Sequence, residues 1–167
     1  MVFLRGKIMK SIWKTIIKIT IAIIVVSSLM MNLFTHVMPV VRYYGDSMSP
    51  TLRDKQILFV NKLAEVKSGD IVAFYYNNNI LIRRVVAVEN QQVTVDIFGK
   101  VSVNGTELAE EYVMNQTLGQ CNLDFPYTVP PNAYFVMGDN RETSMDSRLK
   151  EIGAVTEERM IGKIMFQ

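Results

Sequence analysis

The chain has 167 residues, 49% of them hydrophobic, and carries a formal net charge of +2. This length predicts one domain, or one domain with an appendage. Five of the 18 basic residues fall within residues 1–18, so the remainder is slightly acidic and offers no basic surface for a nucleic acid. Cys121 is the only cysteine, which excludes an internal disulfide and a paired-cysteine metal site. We expect neither a metal nor another cofactor.

The N-terminal part of the chain predicts a membrane anchor. Residues 1–18 form a basic segment without acidic side chains, and residues 19–41 contain no ionised side chain. About 20 predominantly apolar residues suffice to cross a bilayer as a helix, so 19–41 is predicted to be a transmembrane anchor. The positive-inside rule predicts a cytoplasmic N-terminus and an extracytoplasmic domain over 42–167. A cleavable signal peptide is the alternative, but its apolar core would be shorter.

Short extended patterns dominate the outer part of the chain and predict a mainly β domain. "NNN" at 77–79 and "NG" at 104–105 are typical of turns between strands. Residues 106–131 contain three prolines and predict a long loop, and a short helix is expected around 155–159. Strands are predicted at 57–61, 70–76, 80–88, 92–97, 100–105, 133–138 and 160–166.

One predicted strand, "ILIRRVVAV" at 80–88, contains two adjacent arginines, Arg83 and Arg84. Neighbouring side chains on a strand point to opposite faces. One of the two guanidinium groups is therefore predicted to point toward the packed side of the sheet.

Two polar clusters could carry chemistry. "YYGDSMSPTL" at 43–52 contains Ser47, and "MGDNRETSMDSR" at 137–148 concentrates charged and hydroxyl residues after a strand. A solvated loop is the alternative for each cluster. The only histidine, His36, lies in the predicted span, so a Ser-His-Asp triad is excluded. A serine nucleophile would need another base, for which lysine is the known substitute.

Four ordered motifs resemble those of bacterial type I signal peptidases, above all the short, single-span forms of Gram-positive bacteria. They are "GDSMSPTL", "SGDIVAF", "IRRVVAV" and "GDNRETSMDSR", preceded by the predicted anchor. The resemblance implies a coiled antiparallel β-sheet or barrel domain on one transmembrane helix. It also implies a membrane-bound serine endopeptidase that uses a serine and a lysine to remove signal peptides from exported pre-proteins.

The resemblance implies roles for individual residues. Ser47 matches the nucleophile, and Ser144 matches the serine that hydrogen-bonds the base. Gly45 stands where some members carry a second, hydroxyl oxyanion donor, so that donor must come from elsewhere. Structural support of the site is implied for Arg84, Asp139, Asp146 and Arg148, with Arg84 joining the Asp146–Arg148 pair. Binding of an extended substrate by strand addition is implied for Met48, Ile71, Phe74, Leu81 and Ile82.

Arg83 departs from the family pattern, because it stands at the position of the general-base lysine. Lysine ionises near pH 10.4 and burial lowers that value by about 3–5 units, close to neutrality. Arginine starts near 13.8, so the same depression leaves it around 9–10. Two functions therefore stay open: a working signal peptidase, or a catalytically impaired relative that binds exported segments or partners in surface-protein assembly, such as pilus formation.

Overall fold

The structure is a computed structural model that describes residues 2–165, with side chains described from residue 12 onward. The chain divides into two compact units, the first ending at Val37 and the second beginning at Met38. The first unit is helix α1, Val2–Val37. Its segment Ile12–Val37 reaches a mean hydropathy of 2.2 and is long and apolar enough to cross a membrane.

Helix α1 ends earlier than the predicted anchor. Residues Val40–Arg42 form strand β1, so the predicted span 19–41 is helical only as far as Val37. Met38 precedes Pro39, and a residue before proline is disfavoured in helical conformation. Hydropathy cannot mark this boundary because Val40 and Val41 are as apolar as the helix. The side chains of the first 11 residues of the predicted basic segment lie outside those described.

The second unit consists of antiparallel sheet, and the predicted mainly β fold is confirmed. A seven-stranded sheet has the order β1-β2-β11-β3-β4-β9-β10, and a four-stranded sheet has the order β7-β6-β5-β8. The strands are β1 (Val40–Arg42), β2 (Ile57–Asn61), β3 (Ile71–Tyr76), β4 (Asn79–Ala87), β5 (Gln92–Val95), β6 (Val101–Val103), β7 (Thr106–Glu107), β8 (Tyr127–Thr128), β9 (Ala133–Met137), β10 (Val155–Thr156) and β11 (Met160–Ile164).

The seven predicted strands correspond to seven observed ones, whereas the short strands β1, β7, β8 and β10 are additional. Two or three residues carry too little alternation to predict a strand. The predicted helix around 155–159 is a strand followed by a single 3₁₀ turn, Glu157–Arg159. Residue 166, the last of the predicted C-terminal strand, lies outside the described residues.

Strand β4 positions both arginines inside the domain. It lies between β3 and β9, with Val72 opposite Arg83 and Met137 opposite Arg84. The sheet is covered on both faces here, so Arg83 and Arg84 are only 5% and 7% exposed. The sequence predicted that one of them faces the packed side, but both do. Each must therefore find hydrogen-bond partners within the protein.

Candidate active site

Ser47 lies in the turn that follows β1, at the edge of the second unit. The Ser49 amide donates to the Asp46 carbonyl at 2.8 Å, and the Leu52 amide donates to the Met48 carbonyl at 2.9 Å. These bonds close the turn around Ser47 and hold its side chain in a largely buried position, 9% exposed. The Asn140 amide donates to the Ser47 carbonyl at 3.0 Å, which joins this turn to the second polar cluster.

Arg83 contacts the Ser47 hydroxyl directly. Its Nη1 donates to Ser47 Oγ at 2.8 Å and to the Ile82 carbonyl at 2.6 Å, while its Nε donates to the Met145 carbonyl at 3.0 Å. Burial lowers the pKa of the Arg83 guanidinium, and the nearby Asp146 carboxylate acts against that shift. A charged guanidinium only donates hydrogen bonds. In this geometry Arg83 therefore holds Ser47 but does not accept its proton.

Tyr43 is the second side chain at Ser47, and the sequence did not single it out. Its Oη lies 3.2 Å from Ser47 Oγ and accepts the Met48 amide at 2.8 Å. The Tyr43 ring belongs to the core, with 3% of the residue exposed. No sequence pattern distinguishes Tyr43 from its neighbour Tyr44, which is 66% exposed. Only the packing of the turn onto the sheet separates them.

Ser144 approaches Ser47 from the other polar cluster. The Ser144 side chain is fully buried, and its hydroxyl contributes to the lowered pKa of the Asp146 carboxylate. Gly138 lies between the two serines, and a Cβ there would collide with the Ser144 side chain and with the Ser47 carbonyl oxygen. A glycine at 138 is what lets the two segments pack this closely.

Asp146 and Arg148 form a buried ion pair next to the site. Arg148 Nε and Nη2 donate to the two Asp146 carboxylate oxygens, each at 2.8 Å, and the Gly138 amide donates to Asp146 Oδ2 at 2.9 Å. Burial opposes ionisation of Asp146, but these bonds and the charge of Arg148 lower its pKa overall. The pair therefore fixes the 138–148 segment through a charged carboxylate.

Arg84 does not join that pair, contrary to the prediction. Its Nε and Nη2 donate to the two oxygens of Asp139, at 2.8 Å and 2.6 Å. Thr51 Oγ1 also donates to Asp139, at 2.5 Å. Burial disfavours the charge on Arg84, but the bond to Asp139 and its charge raise the pKa overall. Sequence order could not assign the partner, because Asp139 and Asp146 lie in one short segment.

The predicted loop 106–131 covers this ion-pair region. Glu110 accepts from Arg141 Nη2 at 2.5 Å, and the Leu118 carbonyl accepts from Arg148 Nη1 at 2.6 Å. The Arg84 guanidinium stacks on the Tyr112 ring, 4.0 Å from its centroid. Burial raises the pKa of Tyr112, with the Glu110 carboxylate adding to the shift. Three buried arginines, Arg84, Arg141 and Arg148, thus contact the 106–131 segment.

An open cleft of about 450 Å³ exposes Ser47 and Arg83 to solvent. Of the five predicted substrate-binding residues, Leu81 lines this cleft. Met48, Ile71, Phe74 and Ile82 do not, since their side chains are buried in the core. Their apolar side chains pack within the core clusters of the domain. The sequence analysis did not predict the other residues that line the cleft, most of which are polar. They are Gly45, Asp46, Tyr76, Asn77, Asn79, Thr143 and Met145.

The Gly45 amide donates to Asp54 Oδ1 at 2.9 Å. Among the described residues, no group of three or more His, Cys, Asp or Glu side chains is arranged to hold a metal ion. The Ser47 hydroxyl lies within hydrogen-bonding distance of the Arg83 guanidinium and the Tyr43 phenol.

Comparison with known proteins gives consistent matches. The family model "Signal peptidase, peptidase S26" matches residues 12–167. The chain is 37% identical over 135 residues to signal peptidase I T of Bacillus subtilis, covering 73% of this chain and 69% of that protein. It is 31% identical over 144 residues to signal peptidase IB of Staphylococcus aureus, covering 74% and 73%. A crystal structure of a signal peptidase I from Enterococcus faecalis superposes with a TM-score of 0.52 at 26% identity, covering 61% of this chain and 98% of that one.

Proposed function

Because the chain belongs to the peptidase S26 family of signal peptidases, we propose that it is a membrane-anchored serine endopeptidase that removes signal peptides from exported pre-proteins. The observation that carries this proposal is the position of Ser47. Its Oγ opens to a cleft and lies within hydrogen-bonding distance of Arg83 and Tyr43. A nucleophilic serine needs this combination of access and polar contacts.

The cleft suits an extended peptide. It runs from the turn at Ser47 past the beginning of β4, where Asn79 and Leu81 line it, to Thr143 and Met145. An extended segment of the substrate would align with such a strand and present its scissile carbonyl to Ser47 Oγ. Leu81 provides an apolar contact for the small side chains expected near the cleavage point.

The decisive experiment compares the full-length protein in detergent or lipid vesicles with its Ser47→Ala variant on a precursor that carries a signal peptide. We expect cleavage at the signal-peptide boundary by the natural protein and none by Ser47→Ala. Ser49→Ala is the matched control, because this serine lies in the same turn but does not line the cleft. Absence of cleavage by the natural protein at any pH would refute the peptidase proposal.

We further propose that the N-terminus is cytoplasmic and that residues 42–167 lie outside the membrane. This orientation follows from the basic segment before the apolar helix. Protease added to intact cells with permeabilised walls should digest the β domain and leave a cytoplasmic marker protein intact. Complete protection of the β domain, under conditions that degrade a known surface protein, would reverse the proposed orientation.

A binding-only relative is the second candidate, and Arg83 is the observation that favours it. The guanidinium donates to Ser47 Oγ and is held by the Met145 and Ile82 carbonyls, so it occupies the base position without accepting a proton. In that role the same cleft would hold exported segments or surface-assembly partners, such as pilus components, without cutting them. Binding of a precursor with equal affinity by the natural protein and Ser47→Ala, without turnover of either, would support this function.

A further inference from the structure

The Tyr43 phenol is a contact of Ser47 that the serine and lysine chemistry of the family does not use. Its Oη is 3.2 Å from Ser47 Oγ, and the residue is 3% exposed. The aligned bond from the Met48 amide, at 2.8 Å, fixes the phenol oxygen beside the serine. Tyr43 is therefore held toward the reacting hydroxyl and away from bulk water.

An inventory of donors and acceptors shows which way the Ser47 proton can go. Arg83 Nη1 can only donate, so Ser47 Oγ accepts its hydrogen bond. The serine proton is then free to point at Tyr43 Oη, which already accepts the Met48 amide. A phenolate accepts both bonds and carries no proton of its own that needs an acceptor. The arrangement thus satisfies an ionised phenol completely.

We propose that Tyr43, paired with Arg83, is the general base for Ser47, so that a serine, a tyrosine and an arginine perform the task of serine and lysine. This inference rests on the proposed peptidase function and names the group that removes the proton. Tyrosine is one of the side chains that act as general acids and bases. Arg83 donates to Ser47 Oγ and a charged guanidinium accepts no hydrogen bond, so of the two groups only Tyr43 can take the serine proton.

The charges around this pair set its pH dependence. Arg83 on β4 is the cation next to the phenol, and Asp146 and Arg148 of the 138–148 segment act on Arg83 in turn. Burial lowers the pKa of Arg83. Negative charge at Asp146 and, to a smaller extent, at Tyr43 acts against that shift, because it favours the charged guanidinium. Because a general base acts only in its unprotonated form, activity should rise toward alkaline pH.

The reaction balances with these groups alone. The Tyr43 phenolate takes the Ser47 proton while Oγ forms a bond to the scissile carbonyl carbon. The phenol then returns that proton to the leaving amine as the C–N bond breaks and the acyl-enzyme forms. A water molecule next gives a proton to the phenolate and attacks the acyl carbon. Ser47 leaves with that proton, which yields the carboxylic acid of the signal peptide and a new N-terminus on the exported protein. The acid then loses its remaining proton to water.

The first test compares Tyr43→Phe with Tyr44→Phe in the full-length protein. Two rates are measured across the pH range: cleavage of a precursor, and labelling of Ser47 by a fluorophosphonate. Removing a general base costs about 10²–10⁴-fold, and we expect Tyr43→Phe to lower both rates within that range at alkaline pH. Tyr44→Phe, a change at an exposed neighbour, should leave them unchanged. Equal rates for the folded Tyr43→Phe variant and the natural protein would overturn the inference.

The second test begins with the natural chain, in which no residue is substituted. Biosynthetic replacement of tyrosine by a ring-fluorinated tyrosine, which ionises at lower pH, should move the pH profile of Ser47 labelling toward neutrality. The same replacement in Tyr43→Phe should produce no shift. An unshifted profile, or no labelling of Ser47 in the natural protein at any pH, would overturn the role of Tyr43. Normal labelling without precursor cleavage would instead refute the peptidase function and leave the Tyr43 assignment standing.

Discussion

Replacement of Arg83 by lysine is expected to raise peptidase activity by about 10²-fold, the lower end of the range typical of general-base catalysis, because Tyr43 already serves Ser47 in the natural protein. The gain follows from protonation: a buried lysine ionises within reach of neutral pH, whereas an arginine stays charged. Residue 83 already lies where such a base would have to act. Residue 83 is 5% exposed and its side chain contacts Ser47 Oγ.

Cleavage of a precursor as a function of pH checks this prediction. Activity of Arg83→Lys should follow the fraction of neutral lysine and disappear when Ser47→Ala is added. Lys67→Arg on the exposed surface is the matched control for the exchange of the two cations. A folded but inert Arg83→Lys variant would show that more than the base has been lost and would favour the binding-only function. A natural protein as fast as its lysine variant would show that Arg83 does not limit the reaction.

The Asp146→Ala variant should be the most unstable of the site variants. Asp146 is fully buried and accepts two bonds from the Arg148 guanidinium, one from the Arg148 amide and one from the Gly138 amide. Removing one partner of a buried pair leaves an uncompensated charge, which costs about 3–5 kcal/mol. Urea or thermal unfolding of the natural and variant proteins measures this loss. The same bonds hold Gly138, so the contact between the Ser47 and Ser144 segments should loosen as well.

The pH dependence of unfolding gives a second readout for Asp146. Its pKa is lower in the folded protein than the ordinary value of 3.8, so ionised Asp146 stabilises the fold above that pH. The contribution is lost as the pH falls through the lower, folded value, and Asp146→Ala should lack this part of the acid destabilisation. Asp124→Ala is the control, because Asp124 pairs with Lys150 on the exposed surface. Equal losses of stability in the two variants would contradict a bracing role for Asp146.

Local patterns in the sequence were sufficient to predict most of the fold. β-branched runs between turn residues located the long strands, and β2 was predicted at its observed bounds, Ile57–Asn61. The apolar run identified the N-terminal helix, although Pro39 ended it before the hydrophobic residues ended. The position of Arg83 beside Ser47 was expected from the resemblance to signal peptidases, because Arg83 stands where that family has the base of its serine nucleophile.

The remaining errors concern side chains whose partners are distant in sequence. Tyr43 reaches Ser47 only because the turn folds its ring into the core. Arg84 pairs with Asp139, 55 residues away, and no local pattern distinguishes that carboxylate from Asp146. The resemblance assigned Met48 and Phe74 to the substrate, yet the side chains of both are buried in the core, Met48 from the turn at Ser47 and Phe74 from strand β3. These outcomes depend on packing, which periodicity does not describe.

Arg83 differs from the other buried arginines of the site in one respect. Arg84, Arg141 and Arg148 each hold a carboxylate, whereas no described residue forms an ion pair with Arg83. The ion pairs of the scaffold thus form without residue 83, whose link to the 138–148 segment is the bond to the Met145 carbonyl. Because an arginine codon (AGA) and a lysine codon (AAA) differ by one nucleotide, a single point mutation can exchange these two residues. We therefore expect the cation beside Ser47, and with it the rate of hydrolysis, to be readily tuned in evolution without rebuilding the domain.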